Sequence, residues 1–401
     1  MPIACRRAAR IGCAALEAGG QIQVTAGYDV AVVGAGIVGL AHALAARRRG
    51  KSVIVLERDA QPFGASIRNF GFVTVSGQQA GACWHHARRA RDIWAEVAEA
   101  AGIEVLQRGL VVAARRPEAE AVVDAFLATD MGTECRRLTR AEALEMNPAL
   151  TPSGVTAALY SPHELRVESR TALPALIAWL RDGLGVDFRF GCAVSRVAAP
   201  EVETSLGVIH AETVIVCPGD DGTTLFADRI AARGVSRCKL HMLRLRPGAS
   251  LPLTTPVMSD LGLARYHGYA DLPEAAALKA RLDREQPAQR ANGVHLICVQ
   301  SADGSLVVGD SHHYGDEVTP FQPAHVDRLI LDEFDAVLAC PNYRIEERWL
   351  GTYAVSPQGW TFTDAPDDAT RIVMVTAGCG ASTAFSIGEQ TLAELYGTKA
   401  A

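Results

Sequence analysis

The sequence has no CxxC pair, no large charge excess of either sign, and no apolar run of membrane-spanning length. Its ten cysteines stand at positions 5, 13, 83, 135, 192, 217, 238, 298, 340 and 379, no two closer than eight positions. That excludes the usual zinc-site and thioredoxin-like spacings. Scattered single cysteines read as small buried hydrophobes in a reducing compartment, so a cytoplasmic location is expected. Lys and Arg total 39 against 45 Asp and Glu, a net charge of −6. Such a balance gives no global pull toward nucleic acid or anionic lipid. The most apolar stretch, Val30 to Ala46, contains Gly34, Gly36, Gly39 and His42 and is too short to span a bilayer. No repeat is visible.

What is present is ordinary globular material. The chain has 401 residues, 49% apolar and 21% charged, enough for two or three units with a large core. The 36 glycines, about 9% of the chain against an average near 7%, are clustered. Residues 1–27 differ from the rest. Arg6, Arg7 and Arg10 give a basic start, but Glu17 and Gln21 follow and no clean apolar run or cleavage site is seen. They read as a disordered extension or a start codon placed too early, with a targeting role as the alternative.

Tyr28 to Val33 reads as a buried strand, Ile37 to Arg49 as a helix ending at Gly50, and Ser52 to Glu57 as the next strand. This βαβ opening is the signature of a parallel sheet. Helices are expected over 80–101, 118–128, 139–146, 169–181 and 323–338. Thr139 and Glu142 have capping-box spacing. Thr213 to Cys217 reads as a buried strand, and residues 294–299 and 305–309 as a hairpin around Asp303-Gly304. Arg371 to Thr376 reads as a strand, followed by a Gly-rich turn and a helix from about Thr383.

Gly34-Ala35-Gly36-Ile37-Val38-Gly39 is G-x-G-x-x-G between a strand and a helix, and the second strand ends in Glu57, 23 positions after Gly34. That is the context a dinucleotide-binding fingerprint requires. Gly34 permits the tight turn, Gly36 lets the backbone approach a pyrophosphate, and Gly39 lets helix and strand pack closely. The helix N-terminus offers unpaired N–H groups and a positive dipole end. Glu57, followed by Arg58, would accept from ribose hydroxyls and repel a 2′-phosphate. The fingerprint does not separate FAD from NAD, but two later segments do. Phe63 to Gly71 directly follows the second strand, and Ala377-Gly378-Cys379-Gly380-Ala381-Ser382 joins the last strand to the last helix. A helix N-terminus near the chain end suits a flavin, whose reduction puts negative charge on the N1/O2 edge. Each segment alone could be an ordinary loop; together, in this order, they point to FAD.

With these motifs the sequence resembles the D-amino-acid-oxidase-like (DAO) FAD oxidoreductases, which include glycine oxidase and sarcosine oxidase. The resemblance runs from about Tyr28 to Leu395. It implies cofactor contacts at Gly34 to Gly39, Glu57, Arg58, Ser66, Asn69, Phe70, Gly71, Val194, Gly219, and Gly378 through Thr383. Ser66 to Gly71, Leu263 to Tyr266, Asp303 to His312 and Arg348 to Tyr353 look like the subgroup associated with phosphonate metabolism. That subgroup is linked to oxidation of 2-aminoethylphosphonate-type amines, N-methylated ones included. There are departures. No cysteine stands near Gly351-Thr352-Tyr353, where sarcosine oxidases tether flavin, so FAD is expected to be non-covalent. Tyr353 stands where glycine-oxidase-like enzymes often carry Arg, which weakens a simple carboxylate clamp. Cys379 and Ala381-Ser382 replace the subgroup's usual Ala and Met-Thr, and Gly219 is followed by Asp220-Asp221 instead of Ala-Trp.

A substrate site for an aminophosphonate should contain Arg, because the planar fork matches phosphonate oxygens. Arg68 and Arg265 are the candidates, the alternatives being backbone support and an interdomain salt bridge. His312 is a candidate substrate-facing residue, His313 less so, and Tyr266 and Tyr353 could line the flavin face or simply be packed. His85-His86 read as a solvated or interdomain face. No metal is expected, since no third ligand has supporting spacing. No nucleophile–His–acid set stands out, and flavin-mediated hydride transfer needs none. Burial of the amine predicts activity rising with pH.

The expected fold class is α/β (α+β overall), a Rossmann-type FAD-binding domain interleaved with a substrate domain on an antiparallel sheet. The FAD domain is expected to use 28–75, 150–225 and 345–401, and the substrate domain 76–149 and 226–344. The expected function is FAD-dependent amine oxidation of a small molecule. D-amino-acid, glycine or sarcosine oxidation and a non-catalytic flavoprotein are the alternatives. The electron acceptor, oxygen or a redox carrier, stays open. Neither nucleic acid nor an integral membrane segment is expected.

Overall fold

The computed structural model describes residues 27–315 and 318–397; the expectation for residues 1–27 falls, but for Gly27, outside them. The chain forms a mixed α/β structure around two sheets. In the first, Tyr28–Val33 is the central strand, flanked in parallel by Gly207–Val216 and Val53–Leu56. Thr370–Val375 and Asp187–Arg189 extend it in parallel, and Thr361–Asp364 closes one edge antiparallel. Val30, Val32, Val53 and Val55 are at most 1% exposed, as expected of a parallel sheet covered on both faces.

The covering helix Ile37–Arg48 follows the first strand after three residues and ends at Gly50, whose φ is +76°. It packs against the last helix, Gly380–Tyr396, with Leu40, Leu44, Phe385 and Leu392 buried between them and the sheet. Gly388 of the last helix lies against the Ala41 backbone, where a Cβ would sit 2.9 Å from the carbonyl oxygen.

The second sheet runs in the order His313–Gly315, Ser236–Arg246, Leu306–Gly309, Ile297–Gln300, Val257–Ser259, Val105–Ala114, Ala157–Val167 and Phe72–Val73. Arg344–Val355 pairs with Ser236–Arg246 on its other side. Its pairs are antiparallel except one. Val257–Ser259 runs parallel to Val105–Ala114. Ala157–Val167 and Arg344–Val355, which the sequence reading groups with the nucleotide unit, belong to this second sheet.

Other elements differ from expectation at their ends. The last helix starts at Gly380, three residues early, because the Ser382 N–H and the Thr383 hydroxyl both donate to the Cys379 carbonyl. The helix containing Pro174 spans Ser169–Ala178 and passes into a wider π-type turn, Trp179–Gly183. The capping box forms as expected: Thr139 accepts from the Glu142 N–H, and the Glu142 carboxylate accepts from the Thr139 N–H at 2.7 Å. All eight described cysteines are free. Among the described residues, no helix is long and apolar enough to cross a membrane.

Candidate active site

The turn after the first strand is built by sterics. Gly34 has φ +103°, and a Cβ there would lie 2.5 Å from the Cys217 carbonyl oxygen. A Cβ on Gly39 would lie 1.9 Å from the Gly34 carbonyl oxygen, so the helix seats on the turn only with glycine there. Glu57, at the end of the second strand, accepts from the Ala35 N–H at 2.9 Å and the Asp59 N–H at 3.1 Å. Its carboxylate thus lies beside the turn that starts the first helix.

The segment after the second strand closes over this turn. Ser66 Oγ accepts from the Ile37 N–H at 2.9 Å. Asn69 braces the loop: its amide donates to the Ala65 and Ser66 carbonyls, and its Oδ1 accepts from the Gly71 N–H at 2.7 Å. The Arg68 carbonyl accepts from Trp349 Nε1 at 3.0 Å, which ties the loop to the second sheet.

Between the two sheets lies a cavity of about 660 Å³. The first turn of the first helix, Gly36 to Gly39, lines one end, and Ser66, Asn69 and Phe70 lie along it. Gly219, and the turn Gly378-Cys379-Gly380-Ala381 at the start of the last helix, complete the nucleotide-sheet side. Arg68, Arg265, Tyr266, His312 and Tyr353 also line it, the last four from the second sheet and its loops. Tyr353 packs against the C-terminal turn, where a Cβ on Gly378 would sit 3.5 Å from its ring.

Other candidates are not brought to the cavity wall. Gly34 and Ala35 lie behind the turn, and Glu57 is only 9% exposed. Arg58 is exposed and pairs with Asp221 at 2.6 Å. Gly71, with φ +66°, packs its backbone on Val167. Val194 is buried in the small hairpin beyond Leu56. Ser382 Oγ accepts from the Thr74 N–H, and Thr383 caps its own helix. His313 faces Asn292 at 3.1 Å. His86 bridges to Ser386 at 2.9 Å between two helices.

The Asp303 to His312 stretch divides by position. Asp303 accepts from the Ser305 N–H and hydroxyl and pairs with Arg246, which shapes the hairpin turn far from the cavity. Asp310 and His312, at the other end, line the cavity. Asp310 is 4% exposed, and its backbone exchanges hydrogen bonds with His295 at 2.9 and 3.1 Å. His295 Nδ1 and Asp310 Oδ1 lie 3.2 Å apart, both buried and neither in a hydrogen bond. His295 Nε2 contacts Tyr266 Oη at 3.1 Å. His312 Nδ1 lies 3.1 Å from the Gly293 carbonyl, a contact that assigns the proton to Nδ1.

Sequence spacing suggested no third ligand to accompany a histidine, yet the ligand atoms of His295, Asp310 and His312 lie within 4.8 Å of one another. Electrostatics disfavours a cation among them. Arg265 acts on all three, and its guanidinium carries its own charge into the same space. Burial, then Arg265, holds both imidazoles well below their ordinary pKa. Burial pushes the Asp310 carboxyl up to about 7, with Arg265 opposing. Arg265 itself stays charged, because Tyr314, Tyr353 and Asp310 offset the cost of its burial. Arg265 Nη2 donates to Tyr314 Oη at 2.7 Å, and the guanidinium has no carboxylate partner among the described residues.

His295, Asp310 and Tyr314 were not among the candidate site residues. The Asp303-Gly304 hairpin is the signal that could have found His295, since its pairing carries that residue to the level of Asp310. Cys83, Cys217 and Cys379 also line the cavity; residues 351–353 line it without a thiol.

A parallel-sheet nucleotide unit, a glycine cradle at one helix N-terminus and a second helix N-terminus across the same cavity define a dinucleotide-dependent oxidoreductase. Residues 29–395 match the family described as FAD dependent oxidoreductase, DAO, and the chain belongs to it. The chain is 26% identical over 220 residues to a glycine oxidase of Geobacillus kaustophilus (strain HTA426). That match spans 51% of this chain and 57% of the relative. In fold it is similar to glycine oxidase from Bacillus cereus ATCC 14579, with TM-score 0.74, 18% identity, and coverage of 93% of this chain and 96% of that one. L-proline dehydrogenase from P. horikoshii gives TM-score 0.74 at 19% identity, covering 93% and 94%. The residues present fit the family's FAD: the open glycine cradle, the acidic side chain beside it, and the C-terminal helix start that faces the cavity.

Proposed function

We propose that this chain oxidises the C–N bond of a small amine bearing a phosphonate group, such as 2-aminoethylphosphonate or its N-methyl form. The observation that carries this reading is Arg265, a half-buried guanidinium on the cavity wall with no ion-paired carboxylate among the described residues. A partly desolvated guanidinium that no carboxylate contacts gains most from a ligand that brings an anion. The planar fork suits phosphonate oxygens, and Arg68 also lines the cavity.

FAD, when bound, supplies the acceptor for the hydride that leaves the carbon next to nitrogen. Gly36 to Gly39 and the Gly378–Ala381 turn would hold it from two helix starts, with Glu57 at the ribose. Non-covalent binding is the consistent reading, since residues 351–353 carry no thiol. Arg265 would hold the anionic tail and so fix where the amine carbon lies in the cavity. Phe70, Tyr353 and Leu240 line the cavity and would exclude water around that carbon. The imine product takes up water and gives the aldehyde with ammonia, or with methylamine from the N-methyl form.

A second reading, oxidation of glycine, sarcosine or a D-amino acid, is favoured by the likeness to the glycine oxidase. Arg265 could meet a carboxylate as well as a phosphonate. Anaerobic flavin bleaching separates the two. The panel is 2-aminoethylphosphonate, its N-methyl form, glycine, sarcosine and D-alanine. Rapid bleaching by a phosphonate alone is expected; bleaching by amino acids alone overturns the phosphonate reading.

A further inference from the structure

We infer that Asp310 takes the proton from the substrate ammonium before oxidation, with His295 as the residue that positions its carboxylate. The inference rests on amine oxidation at this cavity, not on the phosphonate. Hydride can leave the amine-bearing carbon only when nitrogen has a free electron pair to form the C=N bond. An ammonium has none, so a proton must go somewhere. Asp310 is a cavity-lining carboxylate among the second-sheet groups around Arg265.

In the step, the N–H bond of the ammonium breaks, its electron pair stays on nitrogen, and an O–H bond forms on Asp310. The net charge of the pocket is conserved, because an ammonium and a carboxylate become an amine and a carboxylic acid. No co-reactant is needed.

The geometry supports a carboxyl poised for this exchange. His295 Nε2 lies 3.1 Å from Tyr266 Oη, which leaves Nδ1 facing Asp310 Oδ1 at 3.2 Å. Neither atom has another partner, so a proton arriving on Asp310 satisfies both. Oδ2 lies 3.8 Å from His312 Nε2. The groups facing Asp310 come from several neighbouring elements: Arg265 and Tyr266 from one loop, His295 across the hairpin, and His312 beyond the strand end. Cys238 faces it from the strand beneath, and Tyr314 and Tyr353 flank Arg265. Of these Arg265 is the charged group that acts on Asp310. It lowers the Asp310 pKa against burial, which raises it to about 7, near the value an efficient base needs. An anion bound to Arg265 offsets the opposing charge and makes Asp310 more basic when substrate is present.

The test uses holoenzyme and Asp310→Asn. Two ligands have no hydrogen on the amine carbon and cannot be oxidised: 2-amino-2-methylpropylphosphonate and 2-amino-2-methylpropanoate. At pH 8, infrared difference spectra of the wild type should gain the C=O stretch of a newly protonated carboxyl on binding. Asp310→Asn should not. With the amine that reduces the flavin, the wild-type rate should rise through an apparent pKa near 7. Asp310→Asn should lose that limb, run about 100-fold slower at pH 7, and recover toward pH 10, where free amine is abundant. A flavin-loaded variant that keeps the wild-type profile, or gains the same carboxyl band, overturns the inference. So does one tightly bound metal ion per chain that Asp310→Asn removes. If Asp310→Asn does not hold flavin, Asp310→Glu replaces it, and a rate limb that stays in place overturns the inference. A band with the propanoate but not the phosphonate supports Asp310 and overturns the phosphonate reading instead.

Discussion

Arg265 joins the second-sheet loops to the cavity through one hydrogen bond, to the Tyr314 hydroxyl. If it anchors the substrate anion, Arg265→Ala should lower kcat/KM for the preferred amine by about 10²-fold or more, equivalent to about 3 kcal/mol, without loss of flavin. Arg265→Lys should recover only part of this, because a point charge cannot present the bidentate fork. Steady-state kinetics on both variants would test it; full turnover by Arg265→Ala would remove Arg265 from the site. Asp310 makes a separate prediction about stability. Its carboxyl binds a proton up to about pH 7 in the folded chain, but only to about pH 4 when unfolded. Between those values the folded state holds more protons, so this group's contribution to stability falls as pH rises. Asp310→Asn should therefore raise the melting temperature at pH 8, and the gain should vanish near pH 4. Melting curves of the two proteins across that range, taken as a difference, cancel the opposite trend from His295 and His312.

At the scale of elements, the fingerprint turn works because helix and strand touch at glycine. Gly39→Ala drives a Cβ to within 1.9 Å of the Gly34 carbonyl oxygen. We expect a loss of more than about 3 kcal/mol and purification without flavin. Gly50→Ala is the control. Its φ is +76°, but nothing lies within 4 Å of the added carbon, so it should cost only about 1 kcal/mol and stay yellow. Absorbance at the flavin band against total protein measures both. The βαβ opening, the capping box at Thr139 and the Asp303-Gly304 hairpin were legible because each is decided by neighbours in sequence. The start of the last helix was not. Gly378 and Gly380 look like loop, and the Cys379 carbonyl that gathers Ser382 and Thr383 into a helical turn has no sequence signature.

At the scale of the whole molecule, the cavity exists only where two sheets meet. Strands that the sequence alone grouped with the nucleotide unit, Ala157–Val167 and Arg344–Val355, form part of the second sheet. A ligand held between the sheets by non-covalent contacts should come away without breaking either. Acid ammonium sulfate should release the flavin intact into the supernatant, and FAD restored at 100 times its Kd should add about 2.7 kcal/mol of stability. Flavin that stays with the precipitated protein would mean a covalent link.

Periodicity, glycine spacing and a terminal acid determined the nucleotide half of this protein from sequence alone, because backbone sterics and a helix dipole act over a few residues. The substrate half was decided by tertiary structure. Arg265, His295, Asp310 with Tyr314, and Tyr353 come from four separate stretches of chain, and only the pairing of the second sheet sets them around one space. The pKa shifts of His295 and Asp310 follow from burial and from Arg265, and neither acts on them until that sheet is formed.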